Sequence, residues 1–144
     1  MNVTILSHAI DIDTPSYGNR DRIGIVSKTA IANGDTANIS ELHFTNNHIG
    51  THIDVPKHFF DTGITLTDVK PADWFFKSVC LIDIPCEEAK LISINDLAEK
   101  KIEQTVDCLI IRTGYELNRA EEVYWSSYPG ISSDTCEYLR KTFP

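Results

Sequence analysis

Hydrophobic positions along the chain change period several times, and each change marks an element. Residues 3–10 read as a short strand running into a turn at Asp11-Ile12-Asp13-Thr14-Pro15-Ser16-Tyr17-Gly18, where acids, Pro and Gly cluster. Over residues 22–31, Ile23, Ile25 and Ile31 share one parity while Arg22 and Lys28 take the other, the alternation of a sheet with one wet face. Asn33-Gly34-Asp35 predicts a turn. Residues 38–45 then return as a strand, with Leu42 and Phe44 on one face and Glu41 and His43 on the other, so the two strands form a hairpin. Two later runs, residues 79–84 and 106–111, are apolar on both faces, which predicts strands buried in the middle of a covered sheet. Between them Ser93-Ile94-Asn95-Asp96 has the form of a capping box with Asp in the Glu position. Ile94, Leu97, Ala98 and Ile102 follow at helical spacing, predicting a helix over 94–101. A second helix starts at Ser132 or Ser133, puts Cys136, Leu139 and Phe143 on one side and ends against Pro144. Strands alternating with helices define the α/β class. In that layout another strand comes next, so the ending reads as sequence missing on the C-terminal side.

Composition narrows the class. A chain of 144 residues with 42% apolar and 24% charged side chains holds one core, and no repeat or linker divides it, so residues 1–144 are expected to form a single domain. Thirteen Lys and Arg against 21 Asp and Glu leave a charge of −8 without a basic block, a surface that repels phosphate backbones and anionic lipid. Nucleic-acid and membrane partners are excluded on that ground. The first eight residues carry no cationic segment ahead of a short apolar stretch, and no apolar run approaches 18 residues, which points to a cytoplasmic protein. Cys80, Cys86, Cys108 and Cys136 are spaced too widely for a zinc knuckle and read as reduced, mostly buried thiols.

The candidate chemistry lies in the histidines. Four of the five, His43, His48, His52 and His58, fall within 16 residues, where even scattering would place roughly half of one. The window His48-Ile49-Gly50-Thr51-His52-Ile53-Asp54-Val55-Pro56-Lys57-His58 puts three imidazoles and a carboxylate into eleven residues. Imidazole nitrogen and carboxylate oxygen are the donors of catalytic zinc, manganese and iron sites, and no cysteine lies nearby to make a closed structural site. Gly50 and Pro56 argue against a continuous helix, so a turn at Ile49-Gly50-Thr51 is the better way to fold His48 back. His52 and Asp54, two apart in extended chain, point to the same side. His48, His52 and Asp54 then make a three-ligand set, and Pro56 brings His58 in separately as a fourth ligand or as a proton carrier. The competing reading is a hydrogen-bonded polar turn without metal. His43, opposite Leu42 and Phe44, is assigned a surface or supporting role, and His8 a structural or solvent-exposed one.

These residues carry a resemblance. The run from His48 to His58 resembles the signature His-x-Gly-Thr-His-x-Asp-x-Pro-x-His of the cyclase-like metal-dependent hydrolases, the family of bacterial kynurenine formamidase (arylformamidase) and isatin hydrolase, at every specified position. Leu6-Ser7-His8-Ala9-Ile10 and Thr14-Pro15-Ser16-Tyr17 are similar to the family's opening. Leu109-Ile110-Ile111-Arg112-Thr113-Gly114-Tyr115 and Tyr128-Pro129-Gly130-Ile131-Ser132 are similar to its later segments, in the same order. The resemblance implies a swivelling β/β/α fold with a mixed or barrel-like central sheet and flanking helices, assembled as a homodimer or larger. It implies hydrolysis of amide-type C–N bonds with one or two divalent metals, zinc or manganese. Residue by residue, it implies His48, His52 and Asp54 as metal ligands, His58 as a second-metal ligand or catalytic proton relay, and Tyr17 as an aromatic lining the substrate pocket. The family continues past the final helix into a Gly-Ile-Asp strand, a His and a Glu that this sequence lacks, so a shortened chain with reduced acid/base machinery is expected.

The substrate the resemblance favours is a small aryl formamide of the N-formylkynurenine kind, as in tryptophan catabolism, or a cyclic amide. The alternative is a non-catalytic metal- or ligand-binding homologue. A structural subunit without metal is the third reading, and a Ser-His-Asp hydrolase is disfavoured because no Gly-x-Ser-x-Gly elbow occurs. Tyr17, Phe59, Phe60 and Trp74 are available to wall a pocket. For Phe59, Phe60 and the Trp74-Phe75-Phe76 run, core packing is the expectation.

Overall fold

A computed structural model describes residues 4–143, and these divide into two compact units, one up to Val55 and one from Pro56. The secondary structure is α/β, with antiparallel and parallel strand pairs and short helices, and the strands are distributed over three two-stranded sheets.

The first unit is built on a hairpin. Strands β1 (Gly24–Thr29) and β2 (Ile39–His43) pair antiparallel from Gly24↔His43 to Ser27↔Ser40, and a bulge then brings Thr29 opposite Ile39. The turn between them forms as expected: a 3-10 turn at Ile31–Asn33 ends on Gly34 at φ 92°, and the Asp35 carboxylate accepts the Ala30 N–H at 2.8 Å. The one-wet-face expectation fails here. Ile25 and Leu42, cross-strand partners, are about as exposed as Val26 on the opposite face, and Phe44 is half exposed as well. A two-stranded sheet has only one neighbour per strand to cover its side chains. No strand forms over residues 4–10 either; that stretch is exposed and has no ladder partner to take its backbone hydrogen bonds, while Val3 and the residues before it lie outside the described residues.

Below the hairpin, the turn predicted at residues 11–18 serves as a clamp. Thr14 N–H donates to the Asp11 carbonyl at 3.1 Å, and a bridge joins Pro15 to Arg22. Ser16, fully buried, donates its N–H to Asp21 and accepts the Asp21 N–H on Oγ at 3.2 Å. A second bridge joins Ser16 to Ile49. Ile23 and Ile49 are the buried apolar residues of this unit among the described residues.

The second unit contains β3 (Val79–Asp83), β4 (Leu91–Ile92), α1 (Ile94–Ala98), β5 (Cys108–Arg112), α2 (Val123–Ser126), β6 (Gly130–Ile131) and α3 (Ser133–Thr142). The two doubly apolar runs do pair in parallel, Val79↔Cys108 through Asp83↔Arg112, and β4 pairs in parallel with β6. Cys80, Ile82, Leu109 and Ile111 line one face of the β3/β5 pair and join Ile84, Ile92, Leu97, Ile102 and Leu139 in one core. On the other face Val79 and Leu81 remain half exposed, so burial on both faces does not hold among the described residues.

Helix starts follow the sequence closely. At α1 the Asp96 carboxylate accepts the Ser93 N–H at 2.8 Å and the Ser93 hydroxyl at 2.7 Å, closing the capping box; the helix ends three residues before the expected Lys101. At α3, Ser132 Oγ accepts the Thr135 N–H, and the inward residues are Thr135 and Leu139; Cys136, expected on that side, is exposed. Pro144 lies outside the described residues. The other three thiols are partly buried and all four are free. Phe59, Phe60, Phe75 and Phe76 are exposed and not core residues, each sitting on or beside a short 3-10 turn that presents no continuous apolar face.

Candidate metal centre

Residues 46–54 leave β2 and turn back in steps that the sequence explains. Asn46 Oδ1 accepts the His48 N–H at 2.9 Å, and the His48 carbonyl accepts the Tyr17 N–H at 2.9 Å. With the Ser16–Ile49 bridge beside it, the backbone of His48 is pinned from both sides. Gly50 follows at φ 62°, a left-handed conformation that few residues other than glycine adopt readily, and this turns the chain so that residue 52 faces residue 48. No helix forms across the window, as the Gly50 and Pro56 positions required.

The turn brings three ligand atoms together within the first unit. His48 Nδ1 and His52 Nε2 are 3.0 Å apart, and Asp54 Oδ1 lies 3.7 Å from the first and 3.8 Å from the second. The two rings meet edge to face. A point equidistant from the three atoms lies about 2.0 Å from each, the length of a zinc–nitrogen or zinc–oxygen bond. The donor set of two imidazoles and one carboxylate fits a borderline divalent ion. Side-chain exposures of 27% for His48, 34% for His52 and 45% for Asp54 leave the three groups partly open to water. Two imidazoles and one carboxylate of the first unit therefore stand close enough to share one ion.

The other sequence-predicted residues are placed as follows. Tyr17 stands beside His48, with ring centroids 6.3 Å apart and its own ring half exposed. His43 points away on β2, 3.1 Å from the Glu41 carboxylate, in keeping with a surface role. His8 is exposed in the irregular residues before the clamp. His58 belongs to the second unit, at the end of the 3-10 turn Pro56–His58, with its ring 4.3 Å from that of Phe59. Sequence reasoning missed Ser16 and Asn46, which seat His48, and placed Gly50 in the turn without the role of its carbonyl; the signal available for Asn46 was an Asx residue two positions before a ligand.

A second feature of the other unit is a concavity of about 410 Å³ lined by Cys86, Glu87, Glu88, Tyr115 and Asn118. Burial pushes the Cys86 thiol pKa up, and the single proton of the Tyr115 hydroxyl is shared between the Val123 and Ser127 carbonyls at 3.0 and 2.9 Å, so neither supplies an activated group. The Asp83–Arg112 pair at the ends of β3 and β5 is bidentate and half exposed, with the Arg112 hydrogen bond lowering the Asp83 pKa.

Comparison with known proteins shows the family. The family model Cyclase, described as "Putative cyclase", matches residues 4–142, and the chain belongs to that family. A Haemophilus influenzae protein bearing the name "Uncharacterized protein" is 31% identical over 101 residues, covering 68% of this chain and 71% of its own. Cyclase-like protein 3 of rice (Oryza sativa subsp. japonica) and Cyclase-like protein 1 of Arabidopsis thaliana are each 26% identical over 93% of this chain. The chain spans about half the length of these two plant relatives, 51% and 54%. No helix among the described residues is long and apolar enough to cross a membrane.

Proposed function

We propose that this chain is a divalent-metal-dependent hydrolase of amide-type C–N bonds, acting on a small aryl formamide of the N-formylkynurenine kind or on a cyclic amide. The observation that carries the reading is the convergence of His48 Nδ1, His52 Nε2 and Asp54 Oδ1 around a point at bonding distance from all three. Family membership supports it.

In this reading His48, His52 and Asp54 hold one zinc or manganese ion. When bound, such an ion supplies Lewis acidity toward water and toward a substrate carbonyl. Asp54 offsets part of the ion's charge, and Asn46 and Tyr17 fix the His48 backbone from which the first imidazole projects. Tyr17, half exposed beside His48, offers an aromatic wall against which an aryl group can stack. His58, four residues after Asp54, is the proposed proton carrier to the leaving nitrogen or a further ligand. Self-association into a dimer or larger assembly and a cytoplasmic location complete the proposal, the former supported by the half-exposed Ile25, Leu42 and Phe44 on one hairpin face.

The test is metal titration of the dialysed protein with zinc and manganese, followed by assays on aryl formamides and cyclic amides. Wild type binds an ion, and His52→Ala weakens binding by more than ~100-fold, since even the outer partners of metal ligands are worth 10–100-fold. A folded wild type that binds neither ion overturns the reading. Metal binding without turnover on any amide favours the non-catalytic alternative.

A further inference from the structure

The three ligand atoms differ in what holds them. His52 Nδ1 lies 2.9 Å from the carbonyl oxygen of Gly50. A carbonyl oxygen only accepts, so the proton of the neutral ring sits on Nδ1 and the lone pair is left on Nε2. Nε2 is the atom that meets His48 Nδ1 and Asp54 Oδ1. With His52 Nε2 bare, the proton within the 3.0 Å contact between the rings belongs to His48 Nδ1.

The Gly50 carbonyl is aimed by the backbone. Gly50 stands at φ 62°, a conformation that favours glycine, while a Cβ there would meet Ile10 Cγ1 at 3.4 Å, an ordinary contact, so it is the backbone conformation and not the space that selects the residue. We propose that Gly50 is the positioning residue of the site: its left-handed turn presents a carbonyl that locks His52 as the Nδ1–H tautomer and so commits Nε2 to the metal. This rests on the metal reading of the same three residues. A consequence separates the two histidines. His52 takes up an ion with its ring proton where it already is, whereas His48 must exchange a proton at Nδ1 for one at Nε2 through solvent, with no net release.

The experiment uses the full chain labelled with 15N at histidine, read by long-range proton–nitrogen correlation at pH 8, first metal-free and then with zinc. In metal-free wild type, His52 shows a protonated Nδ1 and a bare Nε2. On zinc addition His52 keeps that pattern and His48 changes to a protonated Nε2. Gly50→Ala loses the fixed His52 pattern and binds zinc 10–100-fold more weakly by competition with a chelating dye. Gly50→Asn, whose side chain tolerates the left-handed region far better than alanine, restores most of both and guards against a Gly50→Ala chain that fails to fold. Protonation of His52 at Nε2 in metal-free wild type overturns the proposal even if zinc binds. Equal zinc affinity of wild type and a folded Gly50→Ala overturns it as well. A folded wild type with the His52 Nδ1–H signal but no zinc binding supports the tautomer lock and refutes the metal reading instead.

Discussion

Gly63→Ala measures how tightly the turn carrying His58 is built. Pro56 accepts N–H groups from Phe59 at 3.1 Å and Phe60 at 2.9 Å, Gly63 donates to Phe60 at 2.8 Å, and Lys57 donates to Ile64 at 3.0 Å, so residues 56–64 fold back on themselves. A Cβ on Gly63 would lie 2.4 Å from the Pro56 carbonyl carbon and 2.6 Å from both the Pro56 oxygen and the Lys57 nitrogen. Optimal carbon–carbon separations are about 3.5–4.0 Å, so backbone atoms must move by about 1 Å, and no flexible side chain is available to absorb the shift. Forced overpacking costs about 1–3 kcal/mol, and this clash belongs at the upper end. Alanine restricts the unfolded chain and returns about 0.4–1 kcal/mol. The net loss is about 2 kcal/mol. With a urea slope of about 2 kcal/mol per molar, the midpoint falls by about 1 M. Trp74 and Trp125, both in the second unit, report the transition by fluorescence. Gly34→Ala is the control: it carries a positive φ but meets nothing within 4 Å, so it incurs only the left-handed penalty of about 1–2 kcal/mol, on the hairpin. A Gly63→Ala chain with an unchanged urea midpoint would refute the steric reasoning.

Three further outcomes are expected. Ile92→Ala, at the centre of the second unit's core and 2% exposed, lowers unfolding free energy by about 3 kcal/mol, checked by the same urea transition. The Lys90 ammonium, and then the Ser93 N–H and hydroxyl, hold the Asp96 carboxyl below the usual carboxylate range. A depressed folded-state value makes its contribution present above the unfolded value of about 3.9 and lost as pH falls, so the stability gap between wild type and Asp96→Asn closes between neutral pH and strong acid, read from urea midpoints across that range. Cys136, exposed on α3, is alkylated by iodoacetamide ahead of Cys86, whose thiol is partly buried and raised by that burial; peptide mass spectrometry gives the order.

Local features were legible because local forces decide them. The capping box at Ser93, the Ser132 start of α3, the Asn33-Gly34-Asp35 turn and the β1/β2 hairpin each depend on residues close in the chain, and each forms where the pattern placed it. The parallel pairing of β3 and β5 was legible only as two apolar runs; their residue-by-residue register appears with the fold. Burial was read less well. Phe59, Phe60, Phe75 and Phe76 have core chemistry but no covering surface among the described residues, and Cys136 misses the inward face of α3 by one position, about 100° of helix rotation.

At the candidate site the division is similar. By itself the sequence determined the ligand types, the exclusion of a helix by Gly50 and Pro56, and the common side of His52 and Asp54, because a two-residue spacing and a glycine turn are properties of the local backbone. Tertiary structure alone decided that Ser16 and Tyr17, more than thirty residues upstream, fasten the backbone of His48 and Ile49. It also decided that the Gly50 carbonyl selects the nitrogen with which His52 faces its neighbours. Those contacts depend on hydrogen-bond direction and on segments meeting across a loop, and residue order carries neither until the chain is folded.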